Sequence, residues 1–351
     1  VNVHVHAADD GGCGHSRLIW PVEALQKLGH DVTLGADLDV ARAPALGHAP
    51  ISVLVDADVV VFQRPLRREL VEIIPVLQRQ GTAVVVEIDD DFHALPKGHP
   101  GRAVWAPMRN PDRNWRWLMA ACEQADLVTC TTLALARRYA PHGRAAVLPN
   151  CVPAWYLDVH GVRDDRVTIG WPGSPQTHIG DLDVVGTAVA DVVVTTGARF
   201  RAIGGSETLR ILGVDGETVD WVPLTERGPG GYPGRVASLD IGIVPLADNT
   251  FNVSKSALKA LEFAALGVVP VMSPSPDNVR MFQQGIGYLA DTPADWARHL
   301  RRLIASPNER AEMAARGRDV MRAWTYEGNA SRWWDAWAKA LRNRRQGARA
   351  A

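Results

Sequence analysis

Lys255 and Lys259 fall within five residues of each other in a chain where nearly every other cation is arginine. Of its 38 basic residues only five are lysine and 33 are arginine, a bias that reads as a GC-rich genome. Lysine is a compact point charge on a flexible stem, and arginine is not its equivalent. Both lysines lie in Asn249-Thr-Phe-Asn-Val-Ser-Lys-Ser-Ala-Leu-Lys-Ala-Leu-Glu262. This run predicts a helix that begins at Ser254 or just before, capped by Asn252 or Ser254. Free N–H groups and the helix dipole suit an anion there. Lys255 adds a full positive charge in the first turn, which opposes the dipole unless an anion is bound. Glu262, two turns on, is placed to accept both hydroxyls of a ribose. The plainer alternative is that Lys259 and Glu262 form a surface pair at i,i+3.

Other loops carry polar groups at predicted strand ends. In Thr168-Ile-Gly-Trp-Pro-Gly-Ser-Pro-Gln-Thr-His-Ile-Gly-Asp181, Gly173, Ser174 and His178 read as a phosphate or sugar cradle, or as a plain β-turn with His178 at a helix start. Ile203-Gly-Gly-Ser206 offers Gly204 and Ser206 in the same way. Near the N-terminus, Asp9-Asp-Gly-Gly-Cys-Gly-His-Ser-Arg17 opens like a dinucleotide fingerprint with Gly12 and Gly14. Its third glycine position holds Arg17, so that reading fails. Glu87-Ile-Asp-Asp-Asp-Phe-His93 ends another strand. Asp89 and Asp90 could bind sugar hydroxyls or take a proton. Asp89 and Asp91 also spell a metal-binding D-x-D, and the run equally suits a helix N-terminus. The segment from Phe92 to Asn114 is too long for a plain connector and includes Trp105, a platform for a sugar ring.

These loops need strands behind them. Buried Val- and Ile-rich runs alternate with helical periodicity through both halves, which means parallel sheets. Strands are expected at Val1–His6, Asp31–Leu34, Asp58–Phe62, Thr82–Ile88, Leu127–Cys130 and Ala145–Leu148. After a break from Pro149 to Asp165, a second series runs through Val167–Gly170, Phe200–Ile203, Thr218–Val222, Ile241–Val244 and Val268–Met272. At 351 residues the chain suits two α/β domains, 1–152 and 153–325, with a helical segment 326–351. Trp324, Trp333, Trp334 and Trp337 cluster in the nearly all-helical stretch from Asn308 to Arg342, which reads either as a latch onto the other domain or as a helix packed on its own.

Composition excludes several classes. With 46% hydrophobic residues and a net charge of −1, the chain is a folded protein without a global basic field for nucleic acid. Cys13, Cys122, Cys130 and Cys151 include no C-x-x-C pair, so neither a zinc site nor a redox motif is expected. No run of 18 apolar residues and no signal-peptide pattern occurs, and the reading is a cytoplasmic protein with no integral membrane segment.

The stretch from Asp240 to Met272 resembles the nucleotide-sugar site of retaining GT-B glycosyltransferases of the family 4-like group. That group has two Glu eight residues apart on this helix and a G-x-P-V strand after it. Glu262 matches the second Glu, Ser254 stands in place of the first, and Gly267, Pro270 and Val271 match the ending with one extra residue. The resemblance implies two Rossmann-like doubly wound domains facing a cleft. It implies transfer of a sugar from a nucleotide-diphosphate sugar to a glycan, lipid or protein acceptor, with no cofactor. Donor contacts are then expected from Gly12, Arg17, Gly173, Ser174, His178, Gly204, Ser206, Asn252, Ser254, Ser256, Lys259 and Glu262, with Arg17 approaching the diphosphate across the cleft. Catalytic roles fall to Asp89, Asp90 and Lys255. No carboxylate pair sits beside the phosphate loops, so transfer is expected to need no metal. A GT-B-like epimerase and a non-catalytic nucleotide-sugar-binding protein are the alternatives.

Overall fold

The computed structural model describes residues 1–35, 38–43, 49–102, 114–226 and 228–350. The chain forms two compact units. Unit 1 comprises Val1–Leu95, Gly101–Asn150 and the C-terminal stretch from Tyr326, and unit 2 comprises Pro96–Pro100 and Cys151–Thr325.

Unit 1 is built on six parallel strands: β1 (Val3–His6), β2 (Val32–Leu34), β5 (Val59–Gln63), β6 (Ala83–Ile88), β7 (Leu127–Cys130) and β8 (Ala145–Val147). Their order is β2-β1-β5-β6-β7-β8. An antiparallel pair not expected from the sequence, β3 (Asp39–Ala43) and β4 (Ala49–Leu54), stands apart from that sheet. Strands β5 and β6 are buried along their whole length, which explains why they read as unbroken apolar runs. Helices Arg68–Arg79, Asn114–Gln124 and Leu133–Tyr139 contribute apolar residues to the same core.

The C-terminal helix, Tyr326–Ala350, belongs to unit 1. Trp333 and Trp337 are fully buried, and the Tyr326 hydroxyl donates to the Ser16 carbonyl at 2.6 Å. The Trp333 indole N–H donates to the carbonyl of Arg17 at 3.2 Å.

Arg17 is a correction to the sequence reading. Its side chain is 1% exposed and is engaged inside unit 1. Nε donates to Glu87 at 2.8 Å, and Nη1 donates to the Leu148 carbonyl and to Asn150 Oδ1. The guanidinium also lies against the Trp333 ring. Burial pushes the Glu87 carboxyl up, while Arg17 and the Thr129 hydroxyl draw it back. The third-glycine position therefore holds an internal strut of unit 1, and Arg17 leaves the expected donor set.

Unit 2 repeats the plan with β9 (Thr168–Pro172), β10 (Arg199–Ile203), β11 (Glu217–Val219), β12 (Ile241–Val244), β13 (Val269–Met272) and β14 (Tyr288–Leu289). The order is β11-β10-β9-β12-β13-β14, all parallel. Its core gathers Ile169, Trp171, Phe200, Ile243, Val271 and Trp296.

The helix expected from Ser254 is in fact two pieces. A short helix, Thr250–Val253, is capped by the Asn249 side chain, which accepts from Asn252 N at 2.9 Å. The second, Leu258–Ala265, follows a break in which Ala257 N donates to Asp277 at 3.3 Å. Lys255 and Ser256 thus lie in the break and not in a first helical turn, and neither Asn252 nor Ser254 is the cap.

Candidate functional site

Each sheet reverses its direction of growth once. In unit 2 the switch lies between β9 and β12, in unit 1 between β1 and β5. Loops at the C-terminal ends of strands leave a crevice there, the usual ligand position of open parallel sheets. Most of the residues singled out by sequence lie at these two places.

In unit 2 the loop after β9 and the loop after β12 are joined by Asp181, which is 1% exposed. Its Oδ1 accepts from Asn252 Nδ2 at 2.6 Å and from Ala247 N at 2.9 Å. Its Oδ2 accepts from His178 Nδ1 at 2.8 Å. Asn252, expected to touch the ligand, donates from Nδ2 to Asp181 and the Ala247 carbonyl and so positions the loop, while its Oδ1 has no hydrogen-bond partner among the described residues. Burial drives the His178 imidazole down to about 4, helped by Lys259 and Lys255 and opposed by Asp181. The ring is therefore neutral at pH 7, with its proton on Nδ1.

The glycines have steric reasons. A Cβ on Gly173 would meet the Trp171 ring at 2.6 Å. Gly204 has φ +129°, and a Cβ there would lie 2.7 Å from the Gly173 carbonyl oxygen. The loops after β9 and β10 thus touch backbone to backbone, which no larger residue permits. Ser174 is half-buried in the first of these loops, and Ser206 follows Gly204.

Lys259 reaches from its helix to the end of β9, where Nζ donates to the Pro172 carbonyl at 2.6 Å. Burial and Lys255 lower its pKa, against the pull of Glu262. Glu262 is 6% exposed and accepts from the buried Tyr232 hydroxyl at 2.9 Å. The exposed i,i+3 surface pair is excluded, since Glu262 is inside. One of its oxygens is committed to Tyr232, so only the other is unshared for a ribose. Lys255 lies over the Phe251 ring at 4.4 Å, and Ser254 is buried beside it in sequence. His99, from the Pro96–Pro100 insertion, packs on the same ring at 6.0 Å.

Sequence reasoning passed over three residues of this site. Asp181 ends the quoted motif three residues after His178, an acid–imidazole spacing that was a readable signal. Tyr232 and Trp221 gave none, because one opens the helix Tyr232–Ala237 and the other lies in the loop after β11. Trp221 is 51% exposed, packs tilted against Tyr232 with ring centroids 5.0 Å apart, and lies beside Gly204. It offers a flat face for a base or a sugar.

In unit 1 the loop after β1 holds Asp9, the helical turn Gly12–Gly14 follows it with Cys13, β5 leads into Arg64, and β6 leads into Asp89 and Asp90. Gly12 accepts from the Ser16 hydroxyl, and Gly14 has no room for a side chain because the Asp9 carbonyl would be 1.8 Å away. Arg64 pairs with Asp9, and its Nε lies 3.8 Å from Asp89. It is the one non-glycine among the described residues with positive φ, at 47°. Such strain persists only where surroundings enforce it. Asp89 is 8% exposed, and neither carboxylate oxygen has a hydrogen-bond partner among the described residues. The Asp89 charge, then burial, raise the Cys13 thiol well above its usual range, so it is neutral. Asp90 is half-buried at the same strand end.

The D-x-D reading is not supported by the side chains. Asp91 is turned away to Arg138 at 2.8 Å and to the Tyr139 hydroxyl at 3.2 Å. Among the described residues no group of three His, Cys, Asp or Glu is placed to hold a metal. No helix among them is long and apolar enough to cross a membrane. Trp105 lies outside the described residues.

Residues 209–335, less than half of the chain, match the glycosyl transferase-like family model. No curated protein matches the chain. Among solved structures, AviGT4, a glycosyltransferase involved in avilamycin A biosynthesis, is 17% identical, with a TM-score of 0.59 over 97% of this chain and 98% of its own. HepE of Anabaena, solved in complex with UDP, is 11% identical, with a TM-score of 0.61 over 94% and 98%. A glycosyltransferase from Rickettsia africae is 11% identical, with a TM-score of 0.64 over 97% and 98%. At such identities the likeness shows the fold, which is GT-B. Together with the family model it supports a glycosyltransferase.

Proposed function

We propose that the chain transfers a sugar from a nucleotide-diphosphate sugar to an acceptor hydroxyl. The observation that carries this reading is the convergence at the unit 2 switch point. Two lysines, two glycine loops in backbone contact, a neutral histidine and a buried glutamate meet at the C-terminal edge of one sheet. A diphosphate needs concentrated positive charge and close backbone approach, and a ribose needs a fixed carboxylate. In this reading Lys255 and Lys259 face the diphosphate, with Gly173, Ser174, Gly204, Ser206 and Ser256 around it. Glu262 takes a ribose hydroxyl, and Trp221 stacks on the base. The UDP held by the Anabaena neighbour agrees with such a ligand.

The chemistry follows a retaining course. The bond from the sugar's anomeric carbon to the β-phosphate oxygen breaks, and its electron pair leaves with the phosphate. The acceptor oxygen bonds to that carbon on the same face and gives its proton to the departing phosphate oxygen. Lys255 and Lys259 stabilise the charge that develops on the diphosphate. Asp89 and Asp90 are assigned to hydroxyls of the sugar or acceptor. The charge is met by side chains of the chain itself, so transfer needs no divalent cation.

Product analysis tests the proposal. Incubation with nucleotide sugars and an acceptor panel, in EDTA, should give a glycosylated acceptor with the donor's anomeric configuration. An isomerised donor without transfer would replace this reading by epimerisation. Loss of transfer in EDTA with rescue by manganese would remove the metal-free account.

A further inference from the structure

Beside the loop after β9, unit 2 contains an open pocket of about 390 Å³. His178, Gln176, Asp183, Glu207, Ile211 and Pro100 are among its lining residues, and no lysine or arginine is. Glu207 shares an exposed pair with Arg210, and Asp183 is exposed without an ion pair among the described residues. The wall is thus rich in acceptors and carries negative charge, with apolar faces from Ile211 and Pro100. It supplies no cation to pair with a phosphate or a carboxylate.

The orientation of His178 sharpens this. Asp181 is held as an acceptor by Ala247 N and Asn252 Nδ2, so the His178 proton sits on Nδ1, facing it. Nε2 has no hydrogen-bond partner among the described residues. A neutral imidazole with this tautomer presents a lone pair at Nε2 and no donor. It suits an O–H group and offers nothing to an anion. The edge-on Trp171 ring at 5.5 Å helps to fix the plane of the imidazole.

We propose that this pocket holds the uncharged, hydroxyl-bearing ring of a sugar, and that Nε2 of His178 accepts a hydrogen bond from one of its hydroxyls. Asp181 is then a positioning residue, because it sets the tautomer and ties the loop after β9 to the loop after β12. The inference rests on the glycosyl-transfer reading and narrows the transferred or accepting sugar to one without a carboxylate.

The test is nitrogen NMR of the histidine rings in the full chain, with His178 assigned through its loss in His178→Gln. At pH 7 His178 should show the neutral tautomer with its proton on Nδ1. Glucose should move the Nε2 signal saturably, whereas glucuronate and inorganic phosphate at matched ionic strength should not. Asp181→Asn should weaken the glucose response about fivefold, the worth of one ordinary hydrogen bond. A proton on Nε2, a response to phosphate or glucuronate as large as that to glucose, or no response to any of the three would overturn the proposal. Should Asp181→Asn fail to fold, the wild-type titration decides alone. Melting shifts with UDP and GDP report separately on the diphosphate site. Loss of those shifts with the glucose response intact would sink the glycosyl-transfer reading and leave the pocket standing.

Discussion

At the scale of single residues, the site owes its chemistry to charges held in unusual places. His178 is the clearest case, because burial and two lysines keep it neutral. Its folded pKa lies near 4 against 6.5 for the free residue. The unfolded chain therefore binds the extra proton between those values, and folded stability falls as pH drops through that window. The stability it contributes is fully present above about pH 6.5 and amounts to on the order of 3 kcal/mol. Denaturant unfolding of unit 2 between pH 4 and 7 should show this slope, and His178→Gln should flatten it. Asp90 poses a different question, since it lies at a strand end of unit 1 and the lysines belong to unit 2. Asp90→Asn should lower turnover while leaving nucleoside diphosphate affinity unchanged. A matching loss of affinity would place this strand end at the phosphates.

At the scale of elements, Gly204 and Arg17 show what holds the loops in place. Gly204→Ala puts a Cβ against the Gly173 carbonyl and forces a positive φ on alanine. It should lower the melting temperature of unit 2 and weaken nucleotide binding together. Arg17→Ala leaves the Glu87 carboxylate buried and unpaired, which costs roughly 3–5 kcal/mol. That variant should melt earlier by calorimetry yet bind nucleoside diphosphate as the wild type does. Weaker binding without loss of stability would return Arg17 to the donor site. The same two residues show what a linear reading can reach. Strands β5, β6, β12 and β13 were legible because parallel strands buried on both faces read as unbroken Val and Ile runs. Glycine loops at their ends followed directly. The break between Val253 and Leu258 was not legible, because it depends on Asp277, twenty residues away, drawing Ala257 N. Nor was Arg17's burial, which needs Glu87, Asn150 and Trp333 from three distant segments. The β3–β4 pair and the two-residue β14 escaped because neither carries a strong period.

At the scale of the whole molecule, the chain repeats one parallel-sheet plan, and each copy gathers polar side chains at its own switch point. The two lysines are in unit 2, and in unit 1 the buried carboxylate of Asp89 faces Arg64 at 3.8 Å. This division implies that affinity for nucleotide should follow unit 2 alone. Its central claim is that the unit 2 switch point binds a nucleoside diphosphate, and calorimetric titration with UDP and GDP tests it most directly. At about 100 times its dissociation constant the right diphosphate should stabilise the fold by roughly 2.7 kcal/mol. Lys255→Ala, Glu262→Ala and Trp221→Ala should each reduce that affinity, the last by the ~1–3 kcal/mol of an aromatic stack. Asp90→Asn should leave it intact. Saturable binding lost in the three unit 2 variants and kept in Asp90→Asn is the predicted result. Binding that survives both Lys255→Ala and Glu262→Ala would contradict the account.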